Sequence, residues 1–466
     1  MTDIATSTIL PPPPAKCFLV GIGGIGMSAL AQFLAWRGYH VSGSDRGLEE
    51  GAKQALYDQL ESQGIKTHPQ DGSGIAAESP DCLIVSTAIE ADNPDLLAAQ
   101  GLPVLHRAVA LSRLIAQTGL PLIGIAGSCG KTSVTGWTAS ALKAVGHGVL
   151  MVNGGYVLDF ESAAAPGNFH ADEKPEFVVA EIDESDHSIR EFSPDYAAVL
   201  NIGDDHYGKE ELQEVFRDFL KRTRRAAILP EALAELGESA PHLRIRLFPE
   251  APAGYVSRPA GIAFRSTDGM EITTTQSGRH SAWNGGAAYA LLREALPNAS
   301  SEALSRALGA FKGVRQRFEV VAPQTDAMPA IINDYAHNPE KVAAAIGAAH
   351  ERFGSPLGVV FQPHGYSALA FTREPLLEHL KQCLKNDDLF LMLPVYYAGG
   401  TAAFTPRADE VAAQYAAEGL PVQFVADRPT AAALLKARRD LKAWLVLGGR
   451  DASLRAWSLQ LARRTD

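Results

Sequence analysis

Leu120-Pro121-Leu122-Ile123-Gly124-Ile125-Ala126-Gly127-Ser128-Cys129-Gly130-Lys131-Thr132 decides how this chain is read. An apolar run, a glycine-rich turn and a helical pattern from about Thr132 follow in the order strand, turn, helix. Glycines let backbone N–H groups close around phosphate oxygens at a helix N-terminus. Lys131 is suited to neutralise the β/γ charge, and the Thr132 hydroxyl to ligate Mg²⁺. Gly127, Ser128, Cys129, Gly130, Lys131 and Thr132 are therefore read as a nucleotide-phosphate cradle. The spacing departs from the usual pattern. A first glycine is expected five residues before the glycine of Gly-Lys-Thr, where Ile125 stands, and Gly124 comes one residue early.

A second glycine turn lies upstream. Cys17 to Val20 reads as a buried strand, followed by Gly21-Ile22-Gly23-Gly24-Ile25-Gly26 and an apolar helix from about Met27 to Trp36. This is G-x-G-x-x-G in the context that gives it meaning, and Val41 to Asp45 then reads as a strand ending in a carboxylate at the spacing of a ribose contact. Taken alone, the unit suggests a dinucleotide-binding oxidoreductase. Strands at Cys82 to Ser86 and Pro103 to Leu105 continue the rhythm, closing a Rossmann-like domain over residues 1–115. A central P-loop α/β domain is expected over 116–317, with strands at Phe177 to Ile182, Ala197 to Ile202 and Ala226 to Leu229 and a helix from about Ser281 to Ala295. Strands at Ala330 to Asn333, Leu357 to Gln362, Leu389 to Val395, Val422 to Val425 and Trp444 to Leu447 predict a third, doubly wound Rossmann-like domain over 318–466. The fold class is α/β with three domains.

Bulk properties narrow the function. A chain of 466 residues exceeds one core. A formal net charge of -11 argues against nucleic acid or an anionic membrane as partner, so phosphate recognition must be local. Cys17, Cys82, Cys129 and Cys383 form no C-x-x-C pair, which fits a reducing cytoplasm better than a disulfide framework or a zinc site. No apolar run approaches a membrane span.

Carboxylates gather after predicted strands. Glu181-Ile182-Asp183-Glu184-Ser185-Asp186 follows one apolar strand and Asn201-Ile202-Gly203-Asp204-Asp205-His206 the next. Both fall on the carboxyl edge, where α/β sheets bind ligands, so Glu181 and His206 are candidate metal ligands. Asp334-Tyr335-Ala336-His337-Asn338-Pro339 ends the first strand of the third domain, with Asp334 placed like a ribose-binding carboxylate. Arg315 and Arg317 stand at the junction of the second and third domains, where a guanidinium reaches a transferring phosphoryl group on closure.

These motifs together resemble the Mur ligase family, ATP-dependent enzymes that add amino acids to a UDP-N-acetylmuramoyl precursor of peptidoglycan. GIGGIGMSALA (21–31), GSD (43–45), STAIEADNPDL (86–96), LPVLHR (102–107), AEIDESD (180–186), GVRQRFE (313–319) and VFQPH (360–364) occur in the order used by the family's alanine-adding branch. The displaced P-loop glycine is also the family's own pattern. The resemblance implies that Gly21, Gly23, Gly24, Ile25, Gly26, Ser44 and Asp45 meet the UDP-sugar rather than NAD. It implies that Lys131 holds ATP phosphates, and that Thr132 and Glu181 hold one Mg²⁺ while His206 helps hold a second. His280 and Asn284 fall in the adenine motif, with Ser281 replacing its first asparagine. Arg317 would reach the phosphates, Asp334 the ATP ribose, and His337 would act near the reacting groups. The implied reaction activates a carboxylate as an acyl phosphate, which an amine then attacks.

Departures bear on the amine. Where the alanine-adding branch carries arginines expected to meet the amino-acid carboxylate, this chain has Gly365 and Ala368. A free carboxylate in a closed site needs a cationic or amide-rich partner. His364, His337 and Arg373 are the candidates, Arg373 on condition that Ser367 to Thr372 folds back as a loop. Lys221 lies near the offset of a carbamylated lysine of other branches, and is read first as a surface-helix lysine. The implied partners are ATP, UDP-N-acetylmuramate and an amino acid, with a tripeptide-recycling ligase or another acceptor as the rival reading.

Overall fold

A computed structural model describes the chain except residues 1–6, 49–52, 185–187, 204–208, 327, 398–403, 450, 452 and 464–466. Contacts divide it into two compact units: Met1–Ala253 with Phe264–Thr273 and Trp283–Val314, and Gly254–Ala263 with Thr274–Ala282 and Arg315–Asp466.

The first unit holds two sheets. Strands β1 (Lys16–Val20), β2 (His40–Ser44), β3 (Lys66–His68), β4 (Cys82–Val85) and β5 (Val104–His106) form a parallel sheet of order β3-β2-β1-β4-β5. The second comprises β6 (Leu122–Ala126), β7 (Val149–Val152), β8 (Phe169–Ala171), β9 (Phe177–Glu181), β10 (Tyr196–Val199), β11 (Ala226–Pro230) and β12 (Arg244–Phe248), in the order β12-β11-β10-β6-β9-β7-β8. Only β8 runs antiparallel to its neighbour. Strands β6, β7, β10 and β11 are buried along their whole length, as expected of parallel strands covered on both faces.

Apolar residues of both sheets belong to one continuous core. Phe33, from the helix Ile25–Trp36, stacks on Phe169 of β8 at 5.6 Å between ring centroids, and Gln32 Nε2 donates to Asn168 Oδ1 at 3.0 Å. That shared packing makes one compact unit of two sheets.

A small antiparallel sheet, β13 (Val256–Arg258), β14 (Gly261–Arg265) and β15 (Glu271–Thr274), follows in sequence. The second unit contains β16 (Glu319–Ala322), β17 (Ala330–Asp334), β18 (Leu357–Phe361), β19 (Leu389–Met392), β20 (Val422–Phe424) and β21 (Ala443–Leu447), ordered β16-β17-β21-β18-β19-β20. It is parallel except for β16. Among the described residues no helix is long and apolar enough to cross a membrane.

Candidate active site

Register brings the P-loop to its carboxylate. β6 lies between β10 and β9, with Ile125 opposite both Ala198 and Glu181. The turn after β6 and the end of β9 therefore share one sheet edge. Gly127 (φ 128°) and Gly130 (φ 88°) adopt backbone that L side chains rarely enter. A Cβ on Gly127 would lie 2.9 Å from Leu200 N, and one on Gly130 2.6 Å from Asn284 Oδ1. Asn284 is thus packed on the P-loop, beside the expected nucleotide site.

Lys131 starts the helix Lys131–Ala144. Its Nζ donates to Gly127 O at 2.7 Å and to Glu184 Oε1 and Oε2 at 3.1 and 3.0 Å. Burial opposes its charge, but the carboxylates of Glu184, Glu181 and Asp183 outweigh that and raise its pKa. Lys131 is held as a cation. Glu184 is pushed up by its own burial against the pull of Lys131. Thr132 Oγ1 donates to Glu181 Oε1 at 3.2 Å, so the expected hydroxyl and carboxylate ligands are adjacent. Two hard oxygen donors fit Mg²⁺, which retains water and shares phosphate oxygens. Among the described residues no group of three His, Cys, Asp or Glu side chains could hold a metal, and His206 lies outside the described residues.

One part of the cradle differs from expectation. The amides of Ser128 and Cys129, read as phosphate donors, are given to Asn201: Ser128 N to its carbonyl at 3.2 Å and Cys129 N to its Oδ1 at 2.7 Å. Asn201 Nδ2 returns a bond to Cys129 O at 2.9 Å, and Gly203 N donates to Ser128 Oγ at 2.8 Å. The strand end after β10 thus braces the loop through side-chain bonds that motif spacing does not encode.

Asn153-Gly154-Gly155, unassigned by sequence, closes the site after β7. Asn153 Nδ2 donates to Thr132 O at 3.2 Å and Gly154 N to Glu181 Oε2 at 2.8 Å. A Cβ on Gly154 would meet Glu181 Oε2 at 2.7 Å, and one on Gly155 would meet Thr132 Cγ2 at 2.6 Å. The signal was a four-residue apolar run ending in Asn-Gly-Gly.

In the first sheet the glycine turn is built as expected, but two of its presumed ligands face inward. Asp45 accepts from Gly23 N (Oδ2, 2.9 Å), Gly47 N (Oδ1, 2.9 Å) and Tyr57 Oη (Oδ1, 2.9 Å). Ser44 Oγ donates to buried Asp95 at 2.5 Å. Ser44 and Asp45 thus have partners within the protein, and Asp45 braces the turn. A Cβ on Gly23 would lie 2.7 Å from Asp45 Oδ2, so glycine there permits that brace. Gly21 (φ 79°) starts the turn, while Gly24, Ile25 and Gly26 remain partly accessible. A cavity of about 230 Å³ opens beside Gly26 and is also lined by Arg107, Asn153, Gly154, Glu181 and Asp183. The glycine turn of one sheet and the carboxylate of the other share this space.

The second unit gathers its own candidates. Asp334 ends β17 and accepts from Phe318 N and Ala336 N, both at 2.6 Å. Burial pushes its carboxyl up, with Arg317 pulling the other way. Gln316 (φ 58°) and Phe318 (φ 47°) are left-handed, a strain of about 1–3 kcal/mol each that must be held by neighbours. Asp334 is one such clamp, and Arg317 between them lies over the Tyr335 ring at 5.5 Å. His337 Nδ1 is 2.9 Å from Tyr335 O, and its ring meets His364 at 4.8 Å. His280 is exposed on the first turn of the helix Gly278–Ala295.

Arg373 does not join this group. Ser367 to Thr372 is not a loop: it belongs to the helix Tyr366–Cys383, where Leu369 is buried and Thr372 Oγ1 bonds Ala368 O at 2.8 Å. Arg373 lies further along, with Nε 3.5 Å from Glu374. The guanidinium that reaches Gln362 is that of Arg428, missed by sequence, which contacts Gln362 Oε1 at 3.3 Å and Asp451 Oδ2 at 2.6 Å. Lys221 is an exposed helix lysine paired with Asp218 at 3.2 Å.

Comparisons with known proteins show the family. Three family models match: the Mur ligase family catalytic domain over residues 18–118, the Mur ligase middle domain over 125–221 and the Mur ligase glutamate ligase domain over 316–450. The UDP-N-acetylmuramate–L-alanine ligase of Rhodopseudomonas palustris (strain BisB18) is 32% identical over 421 residues, covering 84% of this chain and 85% of that protein. Its counterpart from Streptomyces avermitilis is 33% identical over 418 residues, covering 84% of both. In fold, the chain is similar to the UDP-N-acetylmuramate-alanine ligase of Thermotoga maritima (TM-score 0.79, 23% identity, 97% of this chain and 99% of that one). It is also similar to a murein peptide ligase of Psychrobacter arcticus (TM-score 0.64, 18% identity, 97% and 98%). The chain belongs to the Mur ligase family.

Proposed function

We propose that the protein is an ATP-dependent, ADP-forming ligase of peptidoglycan precursor synthesis that joins L-alanine to UDP-N-acetylmuramate. The observation that carries this reading is the cavity shared by the glycine turn beside Gly26 and by Glu181, itself hydrogen-bonded to Thr132 of the P-loop. A sugar nucleotide seated on the turn extends its reactive end toward the phosphate cradle. Residues 1–115 would hold the sugar nucleotide, 116–317 the ATP and 318–466 the amine. The four free cysteines suit a cytoplasmic setting.

A carboxylate at neutral pH is a poor electrophile, so it must be converted to an acyl phosphate before an amine can attack. Lys131 offsets the phosphate charge, and its pairing with Glu184 keeps it protonated and placed. Thr132 and Glu181 would hold one Mg²⁺ and His206 would help hold a second; when bound, the metal supplies Lewis-acid neutralisation of the transferring group. Arg317, Asp334, Asn284 and His280 are the proposed nucleotide contacts.

A second reading concerns the acceptor. Arg373 is carried away along its helix, while Tyr366, Tyr397 and Phe404 form a ring cluster with centroids 5.2–6.2 Å apart at the turn that follows His364. Such a surface favours an amine larger than alanine, including a peptide. ADP release with UDP-N-acetylmuramate against L-alanine, glycine, L-serine and the tripeptide tests both readings. L-alanine as best acceptor supports the first, the tripeptide the second, and no acceptor-dependent ADP release refutes the ligase assignment.

A further inference from the structure

We infer that Arg107 receives the carboxylate of the donor substrate and that Asp183 holds its place until the donor arrives. This rests on the ligase reading and adds a residue to which neither the motifs nor the relatives' names assign a role. Arg107 follows β5 and opens the helix Arg107–Thr118, so it stands at the carboxyl edge of the first sheet. Its Nη1 would lie 3.2 Å from a Cβ on Gly26, so a side chain there would crowd the guanidinium. Its Nη2 donates to Asp183 Oδ2 at 3.2 Å, across to the strand-end acids of the second sheet.

The charges in the cavity make the argument. Its described lining carries three ionised side chains, Glu181, Asp183 and Arg107, the last being the single cation. A donor carboxylate that reaches the Glu181–Thr132 corner enters between two carboxylates, and like charges a few ångströms apart repel strongly where water is scarce. Within the described lining Arg107 is the cation able to offset that repulsion, and its planar fork matches a carboxylate in two parallel hydrogen bonds. The existing pair is replaceable: the side chains of Arg107 and Asp183 are 28% and 36% exposed, so water competes for it. Donor binding exchanges one carboxylate for another on the same guanidinium. Asp183 then turns toward solvent.

Calorimetric titration of the full chain with UDP-N-acetylmuramate and with UDP-N-acetylglucosamine, which lacks the lactyl carboxylate, tests this directly. Arg107→Ala should weaken the first by roughly 10-fold or more and the second by less than about 2-fold, the scale for one charge-assisted pair. Asp183→Asn should bind the first as tightly as wild type or tighter. Equal weakening of both sugars, or unchanged binding of UDP-N-acetylmuramate, overturns the assignment of Arg107. Weaker donor binding by Asp183→Asn overturns the placeholder role. Should Arg107→Ala fail to fold, Arg107→Lys decides, because losing the fork must still narrow the preference between the two sugars. If wild type binds neither sugar, the ligase reading itself fails, a result distinct from every outcome above.

Discussion

Two glycine turns in the first unit share a backbone grammar and differ in chemistry. After β1, Gly21 to Gly26 turns into a helix whose first residues carry no charge, and the buried acid Asp45 holds the turn through Gly23 N. After β6, Gly127 to Gly130 turns into a helix that begins with Lys131, and the surrounding acids hold that lysine charged. Glycines thus mark where the backbone must bend closely, whereas the first side chains of the helix decide what the bend can bind. One turn suits an extended ligand laid along it. The other suits a phosphate that must be moved.

The contrast is broken most severely at Lys131. Lys131→Ala should cost at least about 3 kcal/mol of transition-state stabilisation, more than 100-fold in kcat/KM, the scale for losing one preorganised charge partner. Steady-state ADP release measures it, and a near-normal rate would remove the ATP assignment. The first turn should fail differently. Asp45→Ala removes the carboxylate that accepts from Gly23 N, Gly47 N and the Tyr57 hydroxyl. A buried loss of this kind costs roughly 2–3 kcal/mol of stability. Chemical denaturation should show a lower midpoint, whereas an unchanged midpoint with weaker donor binding would return Asp45 to the role of direct ligand.

A finer test separates the cradle's brace from its charge. Asn201→Ala removes both bonds to Cys129 while leaving Lys131 and Glu184 paired. ATP affinity should fall about 5- to 30-fold, corresponding to about 1–2 kcal/mol for lost loop restraint. Unchanged affinity would show that the loop keeps its shape without Asn201.

Asn201 also shows where sequence reading stops. Strand–glycine–helix units were legible because burial and turn conformation are local: β6 is apolar throughout, and Gly130 stands at a left-handed position. That Thr132 of the P-loop and Glu181 share one sheet edge followed from motif order, whereas the pairing of Lys131 with Glu184 did not. What stayed hidden depends on register between distant strands, as where β10 delivers Asn201 beneath Cys129, or on short strands without a pattern. β3 and β8, at three residues each, are too brief for period-two alternation to be seen. β7 was long and apolar enough to notice, and overlooking it concealed Asn153 and Gly154 beside Glu181. Asp45 shows a different limit, since spacing that suits a ligand contact also suits a brace for the turn itself.

The smallest effect is expected at a third strand-to-helix junction, where β18 passes through Gln362 to Gly365 into the helix Tyr366–Cys383. It carries neither the lysine of the second turn nor the glycine series of the first. A carboxylate-binding role for Arg373 required the residues before it to fold back as a loop. A helix at 1.5 Å per residue instead carries Arg373 roughly 10 Å along the axis from Tyr366. Its side chain is 42% exposed and its partner Glu374 60% exposed, a pair that contributes little in water. The bond from Tyr415 Oη ends on the Arg373 carbonyl, which truncation leaves in place. Arg373→Ala should therefore change stability by no more than about 0.5 kcal/mol and leave the acceptor KM unchanged. Acceptor titration at saturating ATP and donor measures it. A strong rise in KM would mean that the helix from Tyr366 unwinds when the amine binds, making this junction a ligand-closing turn.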